Sequence, residues 1–463
     1  MTDTTTVVNP ATEMAITELP LSGVKETDDA VARAVAAGPA WQGVAPADRA
    51  RLLRRFAAQV EEHGEELAQL ETANVGKAIA ESRDEVGMVA EVLYFYAGAV
   101  DKHRGATVPV AGGVDMTFHE PLGVVAAIVP WNFPIAITSW KVGPALATGN
   151  TIVVKPAEIT PLSALRLAEL ALDAGIPEGV LQVLVGKGSV VGTHLVEHPD
   201  VAKVAFTGST EVGRDVMRRA SGTIKRVTLE LGGKSASVVF ADADIERAAA
   251  ATPGGVFANA GQDCCARSRV LVQRSVLDRF LDLLVGAVDR WRVGDPTDPT
   301  VQMGPLVTEA QRRVVAGYLA PGMGEPGGGA VETFAVGAVP DGPGFWFPPT
   351  VVAPADPGWR MAREEIFGPV VAVIPFEDEA DAVRLANDTP YGLSGSIWTN
   401  DGARALRVAR AVHSGNLSVN SHSSVRVQTS FGGMKQSGFG RELGLEALAS
   451  YTDVKNVFIA TDE

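Results

Sequence analysis

Cysteine is scarce in this sequence. Its 463 residues include two cysteines, Cys264 and Cys265, which are adjacent. Adjacent cysteines close no useful loop, so a disulfide framework is excluded and a reducing compartment, the cytoplasm, is predicted. The seven histidines form no ligand-spaced cluster with the cysteines, and no metal site is predicted. The pair leaves room for one reactive thiol.

Basic residues and long apolar runs are also in short supply. Lysine and arginine number 40 against 55 aspartates and glutamates, which gives a formal charge of −15. A field of that sign repels polyanions, so a nucleic-acid partner is not expected. The apolar run Val124–Pro134 is too short to span a membrane, and the N-terminus has no basic segment before an apolar core. The sequence therefore predicts neither a membrane partner nor a signal peptide.

From residue 124 onward, short β-branched runs alternate with longer amphipathic segments. This alternation predicts a parallel sheet with crossover helices, which is a doubly wound α/β domain with its ligand at the carboxyl ends of the strands. The predicted strands are Val124–Val129, Thr151–Val154, Leu181–Val185, Lys203–Phe206 and Arg226–Leu231, and the helices between them are Ile135–Leu146, Pro161–Ala174, Ser189–Glu197 and Ser209–Arg219. A second α/β series predicts another domain with its own sheet, from the strands Ser235–Phe240, Val270–Val272, Val370–Pro375, Gly395–Trp398 and Gly415–Val419.

The remaining segments flank these two series. Apolar residues at helical spacing predict three helices in the first hundred residues, Ala30–Ala37, Arg49–His63 and Glu81–Val100. The Gly/Pro-rich stretch 320–344 is typical of a surface loop. At the end of the chain, a helix Glu442–Ala449 is predicted before a last strand, Thr452–Ile459, which can pair outside its own domain.

Three polar residues are candidates for nucleophilic chemistry. Cys264 follows Gly-Gln-Asp between a predicted helix and a strand, and it is either a nucleophile or a small buried hydrophobe. Glu230 lies in an apolar strand pattern, where burial would raise its pKa towards that of a general base unless the side chain reaches solvent. Asn132, between two prolines at a strand end, either donates to an oxyanion or satisfies its own backbone in a rigid turn.

Two further strand ends are candidates for cofactor binding. Gly208 and Ser209 lie in a G-x-T-x-x-G segment between a strand and a helix, where free amides suit a pyrophosphate, although an ordinary turn has the same pattern. Lys155 and Glu158 end another strand, and they either bind the hydroxyls of an adenosine ribose or form a solvated charge pair. A carboxylate there disfavours a 2′-phosphate, which favours NAD over NADP.

Together and in this order, these clusters resemble the aldehyde dehydrogenase superfamily. The resemblance runs from Asn9–Glu13 to the tail and includes the segments Pro130–Pro134, Lys155–Glu158, Phe206–Ser209, Leu229–Ser235, Gly261–Cys264, Glu364–Pro369 and Phe431–Glu442. It implies an α/β fold with a Rossmann-like cofactor domain (1–102 and 122–232), an α/β catalytic domain (233–433) and a small β oligomerisation element (103–121 and 434–463). It also implies a homodimer or homotetramer.

The resemblance implies NAD(P)-dependent oxidation of an aldehyde to a carboxylic acid through a cysteine thiohemiacetal and a thioester. Cys264 would be the nucleophile, Glu230 the general base and Asn132 the side-chain half of the oxyanion hole, with the Cys264 amide as the other half. The expected cofactor is NAD, with NADP as the alternative. The expected contacts to it are Trp131, Lys155, Glu158, Gly208, Ser209, Glu365 and Phe367.

The substrate is the least determined feature of the sequence. Asp263, directly before Cys264, either attracts a cationic aminoaldehyde or pairs with Arg267 or Arg269. An anionic substrate such as succinic semialdehyde would need a basic residue at the tunnel mouth, where Arg426 is the candidate. A catalytically silent structural paralogue is the third alternative, although it would have no need of all three catalytic residues.

Overall fold

The computed structural model describes residues 3–320, 333–423 and 425–461. Within these residues the α-helices are α1 Val24–Gln42, α2 Pro46–Glu62, α3 Gly64–Val75, α4 Ile79–Ala99, α5 Pro134–Ala147, α6 Leu162–Asp173, α7 Thr193–Glu197, α8 Thr210–Ala220, α9 Ile245–Phe257, α10 Leu277–Asp289, α11 Glu309–Gly317, α12 Arg360–Arg363, α13 Glu379–Asn387 and α14 Gly402–Ala411. The strands are β1 Thr4–Val8, β2 Ala15–Pro20, β3 Thr107–Val110, β4 Gly113–Pro121, β5 Val124–Ile128, β6 Thr151–Lys155, β7 Leu181–Val183, β8 Val201–Thr207, β9 Arg226–Glu230, β10 Ala236–Val239, β11 Arg269–Gln273, β12 Ala335–Val336, β13 Thr350–Val352, β14 Val370–Phe376, β15 Ser394–Trp398, β16 Asn416–Val419, β17 Gly438–Phe439 and β18 Thr452–Ala460.

The first predicted sheet is confirmed. Its order is β17-β9-β8-β5-β6-β7, and all pairs are parallel except that of β17 with β9. The buried faces of β5, β6 and β8 are apolar because helices cover both sides of a parallel sheet. In the register, Ile128 lies opposite Lys155 and Thr207 lies opposite Glu230, so the predicted site residues gather at one edge of the sheet.

The second predicted sheet is also confirmed, with strands that the sequence pattern did not show. Its order is β12-β13-β14-β11-β10-β15-β16, and only β12 runs antiparallel. The short strand β12 falls in the stretch predicted as a loop. It has only two residues, which pair antiparallel with β13. Residues 321–332 of that predicted loop lie outside the described residues.

The third sheet joins the end of the chain to a distant hairpin. Strand β18 pairs antiparallel with β4, from Thr452 opposite Pro121 to Ala460 opposite Gly113, and β4 pairs with β3. The order β18-β4-β3 leaves β18 at an edge of this sheet. The predicted last strand is therefore confirmed, and it pairs with residues more than 300 positions earlier.

One helix was missed and one helix prediction was wrong. The three helices predicted in the first hundred residues are found as α1, α2 and α4, whereas α3, which begins at Gly64, was not predicted. The predicted helix Glu442–Ala449 is replaced by a β-bridge between Phe431 and Glu442 and a 3₁₀ segment, Glu446–Tyr451. The reason is at Gly444, whose φ of 59° is left-handed and whose amide bonds to the Val427 carbonyl at 2.9 Å instead of a helical turn.

Candidate active site

A cavity of about 320 Å³ lies between the first sheet and the loop that precedes β11. The carboxyl end of β9, helix α5 and helix α4 supply its walls. Its lining includes the side chains of Cys264, Glu230 and Trp140, together with Ala136 and Val425. Trp140, Ala136 and Val425 therefore line a cavity that reaches Cys264.

The nucleophile candidate follows a strained turn after α9. Asn259, Ala260 and Gly261 have φ values of 47°, 55° and 70°, three left-handed residues in succession. A Cβ on Gly261 would lie 2.2 Å from a backbone carbonyl oxygen of Gly368, so only glycine fits there. The Gln262 side chain accepts from the backbone of Val307 at 2.9 Å and donates to the Asn259 carbonyl at 3.0 Å. The turn is fixed by these contacts, and local strain of this kind is typical of functional sites.

Cys264 lies in surroundings that favour its neutral thiol. The hydrogen bond with the Cys265 side chain raises the pKa of the Cys264 thiol, as do burial and the negative charge of Asp263. A neutral thiol is a weak nucleophile, because the thiolate is the reactive form. Reaction at Cys264 therefore requires a group that removes its proton.

Glu230, the last residue of β9, is the unpartnered acid in this cavity. Its side chain is 4% exposed, and neither of its carboxyl oxygens has a hydrogen-bond partner among the described residues. Burial and the neighbouring Glu442 raise its pKa well above the usual value, whereas Lys141 acts in the opposite direction. The buried strand position predicted from the sequence is what causes this shift.

A buried ion pair lies behind Glu230, and the sequence interpretation missed it. Lys141, in the middle of α5, pairs with Glu442 and donates to Thr207 Oγ1 at 2.8 Å. A second buried lysine, Lys203, has its pKa lowered to about 7 by burial and by the charge of Lys141. The signal in the sequence was a lysine inside an otherwise apolar helix, but its partner lies 301 residues away.

Asn132 is held against the nucleophile turn. Its side chain is buried, and its amide donates to the backbone carbonyl of Gln262 at 2.9 Å. In return, the Asn259 amide donates to the Asn132 carbonyl at 2.9 Å. A primary amide has two N–H donors, and this bond uses one of them. The two segments that the sequence interpretation singled out are thus in direct contact.

The glycine turn after β8 has the geometry of an anion site. Ser209 caps α8, and its hydroxyl accepts from the Val212 amide at 3.3 Å. Gly208 is positioned by its own amide, which donates to the Glu230 carbonyl at 3.0 Å. A Cβ on Gly208 would lie 2.6 Å from the Phe206 ring, so the close turn requires glycine. The helix N-terminus that follows suits a phosphate.

Lys155 and Glu158 lie at the end of the neighbouring strand β6. The Lys155 amine donates to the Pro156 carbonyl at 2.9 Å and lies 3.9 Å from a Glu158 carboxyl oxygen. Burial lowers the pKa of the lysine, and Glu158 offsets part of that effect. The charge pair is long, which leaves the outer carboxyl group of Glu158 available to hydroxyl groups.

The other predicted cofactor contacts come from the second sheet. Glu365 accepts from the Gly233 amide at 2.9 Å, and burial raises the pKa of its carboxyl to about 7. Phe367 has a φ of 57° and makes an edge-to-face contact with Trp131, with ring centroids 5.1 Å apart. Residues 131 and 367 therefore join the two sheets at the predicted cofactor face. The polar residues at the end of β6, the N-terminus of α8 capped by Ser209 and the Glu365 carboxylate together suit a bound dinucleotide.

Asp263 is held by its own turn. Its carboxyl accepts from the Cys265 amide at 2.8 Å. The Arg269 guanidinium donates to the backbone carbonyls of Lys234, Leu385 and Ala386. The alternative of a pair with Arg269 was therefore wrong. Burial raises the pKa of Asp263, and the Cys265 amide and the charge of Arg267 oppose that shift.

Comparison with known proteins shows the family. The model of the aldehyde dehydrogenase family matches residues 1–457. The NADP/NAD-dependent aldehyde dehydrogenase PuuC of Escherichia coli (strain K12) is 41% identical over 471 residues, covering 99% of this chain and 93% of that protein. A betaine aldehyde dehydrogenase of Mesorhizobium japonicum is 42% identical over 463 residues, covering 99% and 94%. The NAD⁺ complex of an aldehyde dehydrogenase from Bacillus cereus has a TM-score of 0.96 at 40% identity and covers 99% and 94%.

The chain belongs to the aldehyde dehydrogenase family. It is an NAD(P)-dependent aldehyde dehydrogenase, as the sequence motifs predicted. The predicted combination of a Rossmann-like sheet with a second α/β sheet is confirmed as well. Among the helices of residues 3–320, 333–423 and 425–461, none has both the length and the apolarity needed to cross a bilayer.

Proposed function

We propose that this enzyme forms a carboxylic acid from its aldehyde, with Cys264 as nucleophile, Glu230 as general base and Asn132 as oxyanion donor. One observation carries the proposal: Glu230 is 4% exposed and unpartnered in the cavity that contains Cys264. An unpaired buried carboxyl is costly for stability. Its retention beside a thiol is explained if it moves protons during catalysis.

The first step is attack on the aldehyde carbon. Glu230 accepts the Cys264 proton, and the thiolate forms a thiohemiacetal whose oxyanion receives hydrogen bonds from Asn132 and the Cys264 amide. The raised pKa of both groups supports this transfer, since a weakly acidic thiol needs a base of raised pKa close by. A nicotinamide held beside Phe367 and Trp131 would accept the hydride that the tetrahedral carbon loses, which would leave a thioester on Cys264.

The second step is hydrolysis. Glu230 first releases the Cys264 proton to solvent and then deprotonates a water molecule, whose oxygen attacks the thioester carbonyl. The C–S bond breaks, the carboxylic acid leaves, and the proton on Glu230 passes to the Cys264 thiolate. Relatives that transfer the acyl group to coenzyme A do not need a base for water, so Glu230 supports the acid-forming reaction.

The cofactor contacts are part of the same proposal. Ser209 and the α8 N-terminus would hold the pyrophosphate, and Lys155 with Glu158 the adenosine ribose. Glu365 would bind the second ribose, and Phe367 with Trp131 would lie against the nicotinamide. The Glu158 carboxylate supports NAD over NADP.

We also propose the domain division and the assembly stated above. The two large sheets and the sheet β18-β4-β3 support a cofactor part (1–102 and 122–232), a catalytic part (233–433) and an oligomerisation element (103–121 and 434–463), except that β17, Gly438–Phe439, pairs with β9 of the cofactor part. The edge strand β18 carries exposed apolar side chains, among them Val454, Phe458 and Ile459. Unprotected apolar edges of this kind favour pairing between subunits. A homodimer or homotetramer is expected by sedimentation or light scattering, and Val454→Lys should weaken it; a monomeric wild type would contradict it.

Two free cysteines, one of them the proposed nucleophile, support a reducing compartment and therefore the cytoplasm. Cell fractionation with an untagged chain tests the location. Recovery with secreted proteins would overturn it.

The activity is tested by following NADH or NADPH absorbance with 4-aminobutanal, succinic semialdehyde, hexanal and benzaldehyde. Turnover that disappears in Cys264→Ala, with the acid as product, is the expected result. An unchanged rate in that variant would overturn the assignment of the nucleophile. Bound NAD without turnover of any aldehyde would favour the silent paralogue.

A further inference from the structure

The wall of the active-site cavity carries charge of one sign. Its lining contains carboxyl groups from α4, from the nucleophile turn and from strand ends, and among the described lining residues none is lysine, arginine or histidine. The acidic members are Glu81, Asp84, Glu85, Asp263, Glu230 and Glu442. Apolar side chains complete the wall, including Met88, Phe133, Ile137, Trp140 and Phe431.

Two of these carboxyl groups are neutralised from behind the wall. Glu85 pairs with the fully buried Lys77, and Glu442 pairs with Lys141. A third, Glu230, is the proposed base, and both of its oxygens lack a partner in the described structure. These three groups therefore have roles that do not require a charged substrate.

Glu81, Asp84 and Asp263 remain without an ion-pair partner among the described residues. Glu81 accepts from the Asn259 amide at 3.1 Å, and Asp263 accepts from the Cys265 amide at 2.8 Å, so both are fixed to the nucleophile turn. Asp84 is exposed, one helical turn from Glu81 on the same face of α4. The acidic group thus begins at solvent and ends beside Cys264.

The α4 face has a graded character along the cavity. Residues at positions i, i+3 and i+7, namely Glu81, Asp84 and Met88, all line it, so charge is followed by an apolar turn. A substrate with a cation at its solvent end and an aldehyde at its other end would place the cation at Asp84 and the aldehyde at Cys264. Trp140 and Phe431, whose ring centroids lie 5.1 Å apart in an edge-to-face contact, complete the apolar part of the wall.

We infer that Glu81 and Asp84, together with Asp263, select an aldehyde that carries a cationic amino or ammonium group. This inference rests on the proposed function and names its substrate class. An anionic aldehyde would be repelled at the same mouth, and Arg426, the basic candidate, is exposed and donates to the Ser423 carbonyl outside the cavity lining.

The surroundings of Glu81 support the same conclusion. Burial raises its pKa to about 7, and the charges of Asp263 and Asp84 act in the same direction, while the Asn259 amide and Lys77 oppose them. A cation bound here would favour the ionised form of Glu81. Affinity for the cation should therefore rise as the pH passes through about 7.

The test compares 4-aminobutanal with pentanal, in which a methyl group replaces the ammonium. The wild type should have the higher kcat/KM for 4-aminobutanal, and Asp84→Asn or Glu81→Gln should lower it about tenfold, the loss expected for a hydrogen bond to a charged group. Pentanal oxidation should be nearly unaffected in Asp84→Asn, whose side chain makes no contact with the nucleophile turn among the described hydrogen bonds. Glu91→Gln, an exposed position on the same helix, is the matched control and should change neither rate.

A second readout does not depend on turnover of the cationic aldehyde. Butylammonium should inhibit pentanal oxidation competitively in the wild type and more weakly in Asp84→Asn and Glu81→Gln, whereas butanol should not discriminate among them. A wild type that prefers pentanal or succinic semialdehyde, or that butylammonium does not inhibit, would overturn the inference. Since pentanal oxidation would still be abolished by Cys264→Ala in that case, the proposed function would survive; loss of all aldehyde turnover in the wild type would instead remove both.

Discussion

Replacing Glu230 with glutamine should separate the two chemical steps. The substitution preserves the side-chain volume, which matters because Glu230 fits against Gly432, where an added Cβ would lie 2.8 Å from its carboxyl oxygen. Both carboxyl oxygens are otherwise unpartnered, so no hydrogen bond within the described protein is lost. The change therefore removes the base with little other perturbation.

The expected loss in steady-state rate is about 100-fold to 10,000-fold, the usual contribution of a general base. This corresponds to about 3–5 kcal/mol of activation free energy. At alkaline pH the Cys264 thiol of the variant ionises without a base. NADH should then appear in a burst of one equivalent per site, followed by slow turnover. Mass spectrometry should then find the acyl group on Cys264.

The stability of this variant should change in the opposite direction to its activity. The pKa of Glu230 is raised in the folded state, so the folded protein binds more protons than the unfolded chain above the ordinary carboxyl range. The wild type therefore loses stability as the pH rises, by at most about 1.4 kcal/mol per pH unit from this group. Glu230→Gln should gain stability relative to the wild type between pH 5 and pH 8, as measured by urea unfolding.

Two outcomes would refute this account of Glu230. A variant that hydrolyses its acyl-enzyme at the wild-type rate would show that another group activates water. A variant that loses the burst at every pH, while iodoacetamide still alkylates Cys264 normally, would place the role of Glu230 outside both proton transfers. The exposed substitution Glu91→Gln is the control for general effects of charge removal.

Three other predictions follow from the site. Cys265→Ala removes the hydrogen bond that raises the pKa of the Cys264 thiol, so iodoacetamide should alkylate Cys264 faster near neutral pH; an unchanged pH profile would contradict this. Gly261→Ala forces a Cβ to 2.2 Å from a carbonyl oxygen at a φ of 70°, so it should abolish turnover even if the protein folds, which circular dichroism can check. Lys141→Met leaves Glu442 buried without its cation, so it should lower the free energy of unfolding in urea by about 3–5 kcal/mol. A loss under 1 kcal/mol would show that Glu442 does not remain an uncompensated buried charge in the variant.

Local pattern was sufficient for the sheets and for much of the site. Parallel strands are buried on both faces and are read as apolar β-branched runs, so β5, β6, β8 and β9 were predictable to within one or two residues. Local pattern made Cys264, Glu230 and Asn132 candidates, each with a structural alternative. The roles proposed for them came from the resemblance to the aldehyde dehydrogenase superfamily.

Contacts between distant segments were decided by the tertiary structure. The sequence shows a lysine in the apolar helix α5, but not that Glu442 neutralises it, and it shows acidic residues in α4, but not that Glu81 meets the nucleophile turn. The helix predicted over 442–449 failed for the same reason, because Glu442 and Gly444 bond to residues 427–431 and not to their own turn. Periodicity in the sequence indicates which face of a helix or strand is apolar. Which charged residue or strand packs against that face depends on the whole fold. The sign of the charge at the mouth of the active site depends on the whole fold for the same reason.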